Sequence, residues 1–334
     1  MNYVRIVTAT SLFDGHDAAI NIMRRIMQDL GVEVIHLGHN RSAIEIVETA
    51  IQEDANAIAV TSYQGGHMEF FKYIYDLLKE KNAGHIKIFG GGGGVIIPEE
   101  VRELEEYGIT KIFTPQDGLE IGLDGMVKYV VEKSSIKTYE ENKLAYYLEH
   151  IDSYLPQLIS LIEYDINNNK WNIEKENLLQ QYLSNIKSNA ITIGFSGVGG
   201  AGKSSLIDEI VCNFKIDFPN KKLAILAIDP TKKEKGALLG DRIRMNSLPA
   251  NNIYMRSMAT RSFTSAITKA SGKILQIFKI AGYDLIFLET AGVGQVDIGT
   301  SGITDINVYI MTPEYGAALQ LEKINLIDVA DIIV

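Results

Sequence analysis

Two short segments of the sequence carry residue types and spacings that suit ligand chemistry. The first, residues 11–17, reads SLFDGHD and sets Asp14 two residues before His16. A histidine that ligates a metal usually passes its second ring N–H to a carboxylate, so an aspartate this close suits a metal-ligating pair. By spacing alone, an Asp-x-His loop is more often a turn without a ligand. The spacing therefore leaves both interpretations of this loop open.

The second segment is a glycine-rich loop, residues 197–204, which reads GVGGAGKS. It fits the G-x-x-x-x-G-K-[ST] phosphate-binding pattern, and it lies between a strand pattern and a helix pattern. Glycines let successive backbone N–H groups converge on phosphate oxygens, and the helix N-terminus adds a positive partial charge. Lys203 is predicted to reach the β- and γ-phosphates, and Ser204 to ligate Mg²⁺. The predicted nucleotide-binding residues are Gly197, Gly199, Gly200, Ala201, Gly202, Lys203, Ser204, Ser205 and, from a later loop, Gly292.

Acidic residues near predicted strand ends supply candidate ligands for the magnesium ion. Glu289 ends the strand pattern DLIFLE, Asp229 ends AILAID, and Asp241 lies in LLGDRIRM. Each acid taken alone is more often a helix cap or a solvated loop residue. Two acids at strand ends beside a phosphate loop favour metal binding.

The elements that must position these residues form two α/β units joined by helices. In residues 1–135 five strand patterns alternate with helical patterns that start near Asp17, Ser42, His67, Pro98 and Gly118, which predicts a flavodoxin-like parallel sheet. Residues 136–188 predict two or three linker helices, with Trp171 as a packing anchor. Residues 189–334 predict a P-loop α/β unit. It stops on the strand pattern ADIIV, so we expect a fragment of a longer polypeptide.

The order of strands in the first unit gives the Asp-x-His loop a context. In a flavodoxin-like sheet, ligands bind beyond the carboxyl ends of the strands, where the strand order reverses between the first and third strands. SLFDGHD follows the first strand, SYQGGH follows the third and FGGGGGV follows the fourth. Five consecutive glycines, residues 90–94, would let a bulky ligand approach the backbone closely. The clustering of these loops favours a ligand site over a flexible loop.

Composition and charge exclude several classes of protein. A formal net charge of -10 argues against a general nucleic-acid surface, because phosphate binding needs a basic face. A single cysteine, Cys212, excludes an internal disulfide framework and is typical of a reducing compartment. The N-terminus lacks a signal-peptide pattern, and no apolar run approaches the roughly 20 residues of a membrane span. We therefore predict a cytoplasmic globular protein without a nucleic-acid or membrane partner.

The three loops of the first unit resemble the cobalamin-binding domain of adenosylcobalamin-dependent mutases. Its pattern is Asp-x-His-x-x-Gly, followed by Ser-x-Leu and then Gly-Gly. The resemblance implies that His16 replaces the cofactor's own dimethylbenzimidazole as the lower cobalt ligand and that Asp14 orients His16. It also implies that Ser62, with Gly91 and Gly92, lines the pocket for the displaced nucleotide tail.

Two positions of the first unit depart from that pattern. The glycine expected three residues after the histidine is Ala19, and the leucine expected two residues after Ser62 is Gln64. A methyl group at Ala19 would crowd the nucleotide tail.

The second unit resembles the G-protein chaperones that load and protect cobalamin-dependent acyl-CoA mutases. The segments DPT, GALLGDRIRM, MATRSF and ETAGVGQ carry the resemblance, and in this family the strand acid is Glu, as at Glu289. The resemblance implies GTP hydrolysis, with Lys203 and Glu289 as catalytic residues. It implies that Mg²⁺ is held by Ser204, Asp229, Asp241 and Glu289, and that residues 311–320 form a third switch loop. The family's guanine-reading motif, Asn-Lys-x-Asp, does not occur in the sequence.

The order of the two units resembles the isobutyryl-CoA mutases that are fused to their own G-protein chaperone. The resemblance implies a radical interconversion of isobutyryl-CoA and n-butyryl-CoA, with adenosylcobalamin, Mg²⁺ and GTP, in a downstream substrate barrel. It further implies a homodimer and an adenosyltransferase partner. A carrier that passes cobalamin to a separate methylmalonyl-CoA-type mutase stays an alternative. Two other classes, a corrinoid methyltransferase module and a response-regulator-like receiver, fit the sequence less well.

Overall fold

The structure, a computed structural model, describes residues 4–231, 236–248, 250–260, 267–292, 302–312 and 329–334. The chain divides into two compact units. The N-terminal unit comprises residues 2–138 and 234–243, and the C-terminal unit comprises residues 139–233 and 244–334. Among the helices within the described ranges, none has the length and apolar character needed to cross a bilayer.

The N-terminal unit alternates strands and helices, as the sequence predicts. Its elements are β1 (Arg5–Thr10), α1 (Ala18–Asp29), β2 (Glu33–His36), α2 (Ala43–Gln52), β3 (Ala57–Thr61), α3 (His67–Glu80), β4 (Lys87–Gly91), α4 (Pro98–Tyr107), β5 (Lys111–Phe113) and α5 (Pro115–Ser134). The strands pair in parallel in the order β5-β4-β3-β1-β2. The chain leaves β1 towards β2 on one side and returns to β3 on the other, so a crevice opens between the loops after β1 and β3. The predicted flavodoxin-like fold is confirmed.

Helix α5 begins at Pro115, three residues before the start that the sequence predicts at Gly118. Thr114 and Asp117 form a capping box, in which each side chain accepts a hydrogen bond from the other residue's backbone N–H. Proline at the first helical position needs no N–H partner and therefore fits this start. Gly122 has φ 65° and ψ 174°, which kinks the helix after its second turn. The sequence TPQD was the signal for the true helix start.

The C-terminal unit contains a second parallel sheet. The elements after α5 are α6 (Leu144–Glu149), α7 (Ile151–Asn167), α8 (Ile173–Asn185), β6 (Ile191–Gly197), α9 (Lys203–Asp217), β7 (Leu223–Asp229), β8 (Leu238–Leu239), β9 (Ile253–Ala259), α10 (Ser271–Ile280), β10 (Leu285–Glu289), β11 (Ile306–Ile310) and β12 (Ile332–Ile333). All of these strands except β8 pair in parallel in the order β12-β11-β6-β10-β7-β9. Strands β6, β10 and β7 are neighbours, so their carboxyl ends meet at one edge of the sheet.

The three linker helices α6, α7 and α8 are part of the C-terminal unit. Leu158, Ile159 and Ile162 on α7 are fully buried in the same apolar cluster as Ile286 and Leu288 of β10. Trp171 packs against this cluster, and its Nε1 donates a hydrogen bond to Glu176 Oε2 at 2.8 Å. The predictions that this segment forms two or three helices and that Trp171 has a packing role are confirmed. The helices cover one face of the second sheet, so they contribute to its core.

Strand β8 adds a sixth strand to the N-terminal sheet, where it pairs in parallel with β2. Glu53 is fully buried and anchors this segment: one carboxylate oxygen accepts from Arg242 Nε and the other from Arg5 Nη2, both at 2.6 Å. The other terminal nitrogen of the Arg5 guanidinium, Nη1, forms an ion pair with Glu33 Oε2 at 2.5 Å. Because a buried charge that loses its partner costs several kcal/mol, this network strongly favours one position of the segment on the sheet. Sequence patterns alone gave no indication of this sixth strand.

Candidate functional sites

Asp14 and His16 form a hydrogen-bonded pair in the loop that follows β1. Asp14 is 2% exposed, and its Oδ1 accepts hydrogen bonds from the His16 backbone N–H at 2.9 Å and from His16 Nδ1 at 2.8 Å. Its Oδ2 accepts from the Tyr63 backbone N–H at 2.5 Å, in the loop after β3. Burial alone would raise the pKa of Asp14, but the hydrogen bonds from Tyr63 and His16 lower it below the usual value. The carboxylate therefore stays ionised and joins the two loops at the crevice.

The hydrogen bond to Asp14 determines which nitrogen of His16 is available to a ligand. A carboxylate can only accept, so Nδ1 carries the proton, and the neutral ring keeps its lone pair on Nε2. The His16 side chain is 78% exposed. An exposed imidazole with its Nδ1 fixed by a buried carboxylate is the arrangement that metal-ligating histidines usually have.

An apolar cavity of about 240 Å³ opens beside this pair. Helix α1 contributes Ala19, and the glycine run contributes residues 90–93. The remaining lining residues are Ile20, Met23, Met27, Ala59, Val60, Thr61, Tyr63, Phe89, Phe113, Thr114, Pro115, Gly118, Leu123, Met126, Val127 and Val130. Gly91 and Gly92 thus lie where a pocket for a bulky ligand was predicted, and so does the methyl group of Ala19.

Ser62 and Gly92 control the packing at the edge of the cavity. Ser62 is fully buried, and its hydroxyl accepts a hydrogen bond from the Ser11 hydroxyl at 2.9 Å. The residues on either side of Ser62, Thr61 and Tyr63, line the cavity, whereas Ser62 itself does not. A Cβ atom on Gly92 would lie only 2.0 Å from the carbonyl oxygen of Ser62. The close approach of these two backbones therefore requires glycine at position 92.

Tyr63 was not singled out by the sequence patterns, whereas His67 was predicted to begin a helix. The ring centroid of Tyr63 lies 5.6 Å from that of His16, and Tyr63 also lines the cavity. His67, the first residue of α3 as predicted, lies 3.0 Å from Glu100 Oε2 through Nε2 and 3.2 Å from the Gln64 carbonyl oxygen through Nδ1. His67 thereby connects the loop after β3 to the start of α4. The position of Tyr63 inside the Ser-x-Leu pattern was the only available signal.

His36, at the end of β2, is buried, and its Nδ1 lies 2.9 Å from Thr8 Oγ1. Burial lowers the pKa of His36 to about 4, and the positive charges of Arg24 and Arg41 act in the same direction, while Asp17 opposes them. The folded protein therefore favours the neutral form of the His36 ring.

We expect the free energy of unfolding of the N-terminal unit to fall as the pH is lowered from about 6.5 to about 4. In this window the unfolded chain binds a proton at His36 that the folded chain does not, which costs up to about 3 kcal/mol. Urea unfolding at several pH values measures this loss in wild type and in His36→Gln, which cannot titrate. Equal losses of stability in the two proteins would contradict the assignment to His36.

The phosphate loop connects β6 to α9, as the sequence predicts. Lys203 is 8% exposed, and its Nζ donates hydrogen bonds to the carbonyl oxygens of Gly197 at 3.0 Å and Val198 at 3.1 Å. A Cβ atom on Gly292 would lie 2.7 Å from Gly199 N and 3.1 Å from Lys203 Nζ. The loop after β10 thus lies against the phosphate loop, so the backbone of Gly292 is within reach of a phosphate bound there.

The phosphate loop contains left-handed backbone conformations, which glycine permits. Gly200 has φ 85° and Gly202 has φ 92°, and Gly202 directly precedes the first residue of α9. Gly199, Gly200, Ala201 and Gly202 therefore turn the chain into the helix N-terminus, where backbone N–H groups are available to an anion. Ser205 is exposed on the first turn of α9.

Two of the four predicted magnesium ligands, Ser204 and Glu289, are hydrogen-bonded to each other. Ser204 Oγ donates a hydrogen bond to Glu289 Oε1 at 2.6 Å, and both side chains are buried. Asp229 ends β7 at the same sheet edge, two positions beyond the register partner of Glu289. Asp241 belongs to the N-terminal unit, where it opens the 3₁₀ helix Asp241–Arg244. Its role as a magnesium ligand stays a prediction.

The chemistry of these oxygens fits a magnesium ion that a nucleotide brings with it. Within the described parts of the chain, no three His, Cys, Asp or Glu side chains cluster closely enough to hold a metal. Mg²⁺ is commonly bound by one or two carboxylates together with substrate phosphates and water, so Ser204 and Glu289 suffice for such a site. Residues 313–320 of the predicted third switch loop lie outside the described residues.

Three relatives of the chain share one name. Over 340 residues it is 52% identical to a fused isobutyryl-CoA mutase of Geobacillus kaustophilus, with 100% of this chain and 31% of the relative covered. Fused isobutyryl-CoA mutases of Cupriavidus metallidurans and Nocardia farcinica are 48% and 45% identical, each with 99% of this chain and 30% of the relative covered. The chain thus spans less than one third of the length of these relatives.

Family comparisons agree with the division into two units. The B12 binding domain family matches residues 4–119, which carry the Asp14–His16 pair and the cavity. The family of the methylmalonyl Co-A mutase-associated GTPase MeaB matches residues 155–334, which carry the phosphate loop and most of the linker helices. The chain therefore belongs to the MeaB family of mutase-associated GTPases, and it carries a B12-binding domain ahead of the GTPase domain.

Proposed function

We propose that the N-terminal unit binds adenosylcobalamin, with His16 as the lower cobalt ligand and the nucleotide tail in the cavity. The observation that carries this proposal is the hydrogen-bonded Asp14–His16 pair beside an apolar, glycine-edged cavity. Asp14 fixes the tautomer of His16, so Nε2 is the nitrogen that would face cobalt. Apolar walls suit the aromatic base at the end of the tail, and the backbones of Gly91 and Gly92 form part of the wall. Ala19 also lines this cavity.

In the C-terminal unit we propose GTP hydrolysis with Mg²⁺. Lys203 would exchange its hydrogen bonds to loop carbonyls for the β- and γ-phosphates, and Ser204 with Glu289 would hold the metal ion. Asp229, at the same edge of the sheet, is the further ligand that we propose from this unit. The choice of guanine rests on membership of the MeaB family.

The two units together are proposed to act within a fused isobutyryl-CoA mutase. Three relatives of that name match nearly the whole chain, which favours this function over that of a separate cobalamin carrier. In such an enzyme, which interconverts isobutyryl-CoA and n-butyryl-CoA, the cofactor supplies radical chemistry through its cobalt–carbon bond. GTP turnover would gate cofactor loading and protection. The proposed partners are a substrate barrel, a second copy of the chain and an adenosyltransferase, in the cytoplasm.

An absorbance titration with adenosylcobalamin tests the proposed cofactor site. We expect wild type to give a base-off, histidine-ligated spectrum and His16→Ala to lose it, because the imidazole that would take the place of the dimethylbenzimidazole is then missing. His16 is largely exposed, so its removal should not disturb the fold. His39→Ala, which removes another exposed loop histidine, is the matched control and should behave as wild type. The proposal is wrong if wild type gives no spectral change, or if His16→Ala gives the same change as wild type.

A further inference from the structure

Tyr63 contacts both halves of the proposed cobalamin site. Its ring centroid lies 5.6 Å from that of His16, with the two planes tilted by 49°. Its backbone N–H donates to the same Asp14 carboxylate that holds His16. The position of the tyrosine is therefore fixed relative to the histidine by one shared, buried acceptor.

The same tyrosine ring forms part of the cavity wall beside the glycine run. Tyr63 lines the cavity, and a Cβ atom on Gly93 would lie 3.0 Å from Tyr63 Cε1. The ring thus lies close against the backbone of the glycine turn.

The neighbouring residue, Gln64, does not form part of the cavity wall. Its Oε1 accepts a hydrogen bond from the Gly66 backbone N–H at 2.8 Å, so its side chain turns back onto its own loop. Gln64 is absent from the cavity lining, while Tyr63 and Thr61 are present. Within the loop after β3, an aromatic wall is therefore supplied by Tyr63.

We propose that Tyr63 is a specificity-determining residue that makes the site prefer corrinoids with a nucleotide tail. The proposal rests on the cobalamin site described under Proposed function. Aromatic rings favour offset or tilted contacts with other aromatic and apolar groups, and such contacts add to the free energy gained by burial. The tail receives these contacts only if it enters the cavity, so a corrinoid without a tail gains nothing from them.

The test compares the affinities of cobalamin and of cobinamide, which has the corrin ring but no nucleotide base. For wild type we expect cobalamin to bind more tightly. Tyr63→Ala should lower the ratio of the two affinities by about tenfold, because a buried aromatic contact is lost. Tyr63→Phe should keep the ratio within about twofold, since it keeps the ring. Tyr63→Leu, which keeps most of the apolar volume, should lower the ratio even if the alanine variant folds poorly.

Tyr73→Ala provides the matched control, because Tyr73 lies on α3, is 47% exposed and does not line the cavity. It should leave the affinity ratio unchanged. An unchanged ratio in both Tyr63→Ala and Tyr63→Leu would overturn the proposal, either because both affinities stay as in wild type or because both fall by the same factor. The second result would mean that Tyr63 acts through His16 alone. If wild type binds neither corrinoid, the cobalamin site itself is wrong, and the role of Tyr63 is overturned with it.

Discussion

Lys203→Ala should lower the rate of GTP hydrolysis by about 100- to 1000-fold, which is typical when one charged or polar donor to a transition state is lost. Lys203 is the first residue of α9, at the end of the phosphate loop, and its Nζ is held by the carbonyl oxygens of Gly197 and Val198. The ammonium group thus lies against the backbone of the loop that the motif assigns to phosphate. Since charge builds up on the phosphoryl oxygens during transfer, losing this group removes stabilisation that water does not replace.

Phosphate release and binding of a fluorescent GTP analogue, measured side by side, test this prediction. We expect both to fall in Lys203→Ala, while the unfolding midpoint stays close to that of wild type. Lys222→Ala removes an exposed lysine of the same unit and should change neither quantity. Hydrolysis by Lys203→Ala at a rate near that of wild type would contradict the assigned role. If wild type itself releases no phosphate, the proposed GTPase activity of this chain is wrong.

The alternation of strands and helices was predictable because parallel strands covered on both faces are near-continuous apolar runs. Six of the seven residues of β7, LAILAID, are buried, and all six of β1 are. The phosphate loop was predictable for a different reason. Its glycines and lysine are required by local backbone geometry, so the motif carries its own structural context.

The sixth strand of the N-terminal sheet was not predictable from the same signals. Strand β8 has only two residues, Leu238 and Leu239, which is too short for any periodicity to appear. Its position depends on the pairing with β2 and on the buried contact between Arg242 and Glu53, which are 189 residues apart in the sequence. Such long-range ion pairs leave no local pattern, and an arginine in a loop is solvated by default.

The candidate cofactor site was predicted in outline but not in its packing. The Asp-x-His spacing correctly indicated that Asp14 could hydrogen-bond to His16, because the two residues share one loop. The second contact of Asp14, to the Tyr63 backbone, joins two loops that only the sheet order brings together. The direction of the tyrosine ring depends on its neighbours, so spacing could not provide it.

Gly92→Ala should destabilise the N-terminal unit by about 3 kcal/mol and weaken cobalamin binding with it. The added Cβ would lie 2.0 Å from the carbonyl oxygen of Ser62 and 3.1 Å from two side-chain carbons of Ile96. The first contact involves backbone, which cannot rotate away. Gly92 has φ −150°, an ordinary value, so the expected cost comes from the clash and not from backbone strain.

Relief of this clash would require β3 and β4 to separate at their carboxyl ends. The hydrogen bond from Ser62 N to the carbonyl oxygen of Gly91, 2.9 Å long, would weaken as they part. Tyr63 follows Ser62 directly, so its hydrogen bond to Asp14 would shift too. Since Asp14 orients His16, a single methyl group at the edge of the cavity should disturb the proposed cobalt ligand as well as the proposed tail pocket.

Gly94→Ala is the matched control for this prediction, two residues away in the same run of five glycines. A Cβ atom at Gly94 would have no neighbour within 4 Å, and its φ is not left-handed. We expect its stability to stay within about 0.5 kcal/mol of wild type, as for other unhindered surface changes. Urea unfolding and the adenosylcobalamin titration compare the two variants. Equal stability and equal cobalamin binding in Gly92→Ala and Gly94→Ala would contradict the prediction. The expected difference would mean that the close approach of the backbones requires glycine at position 92 in particular.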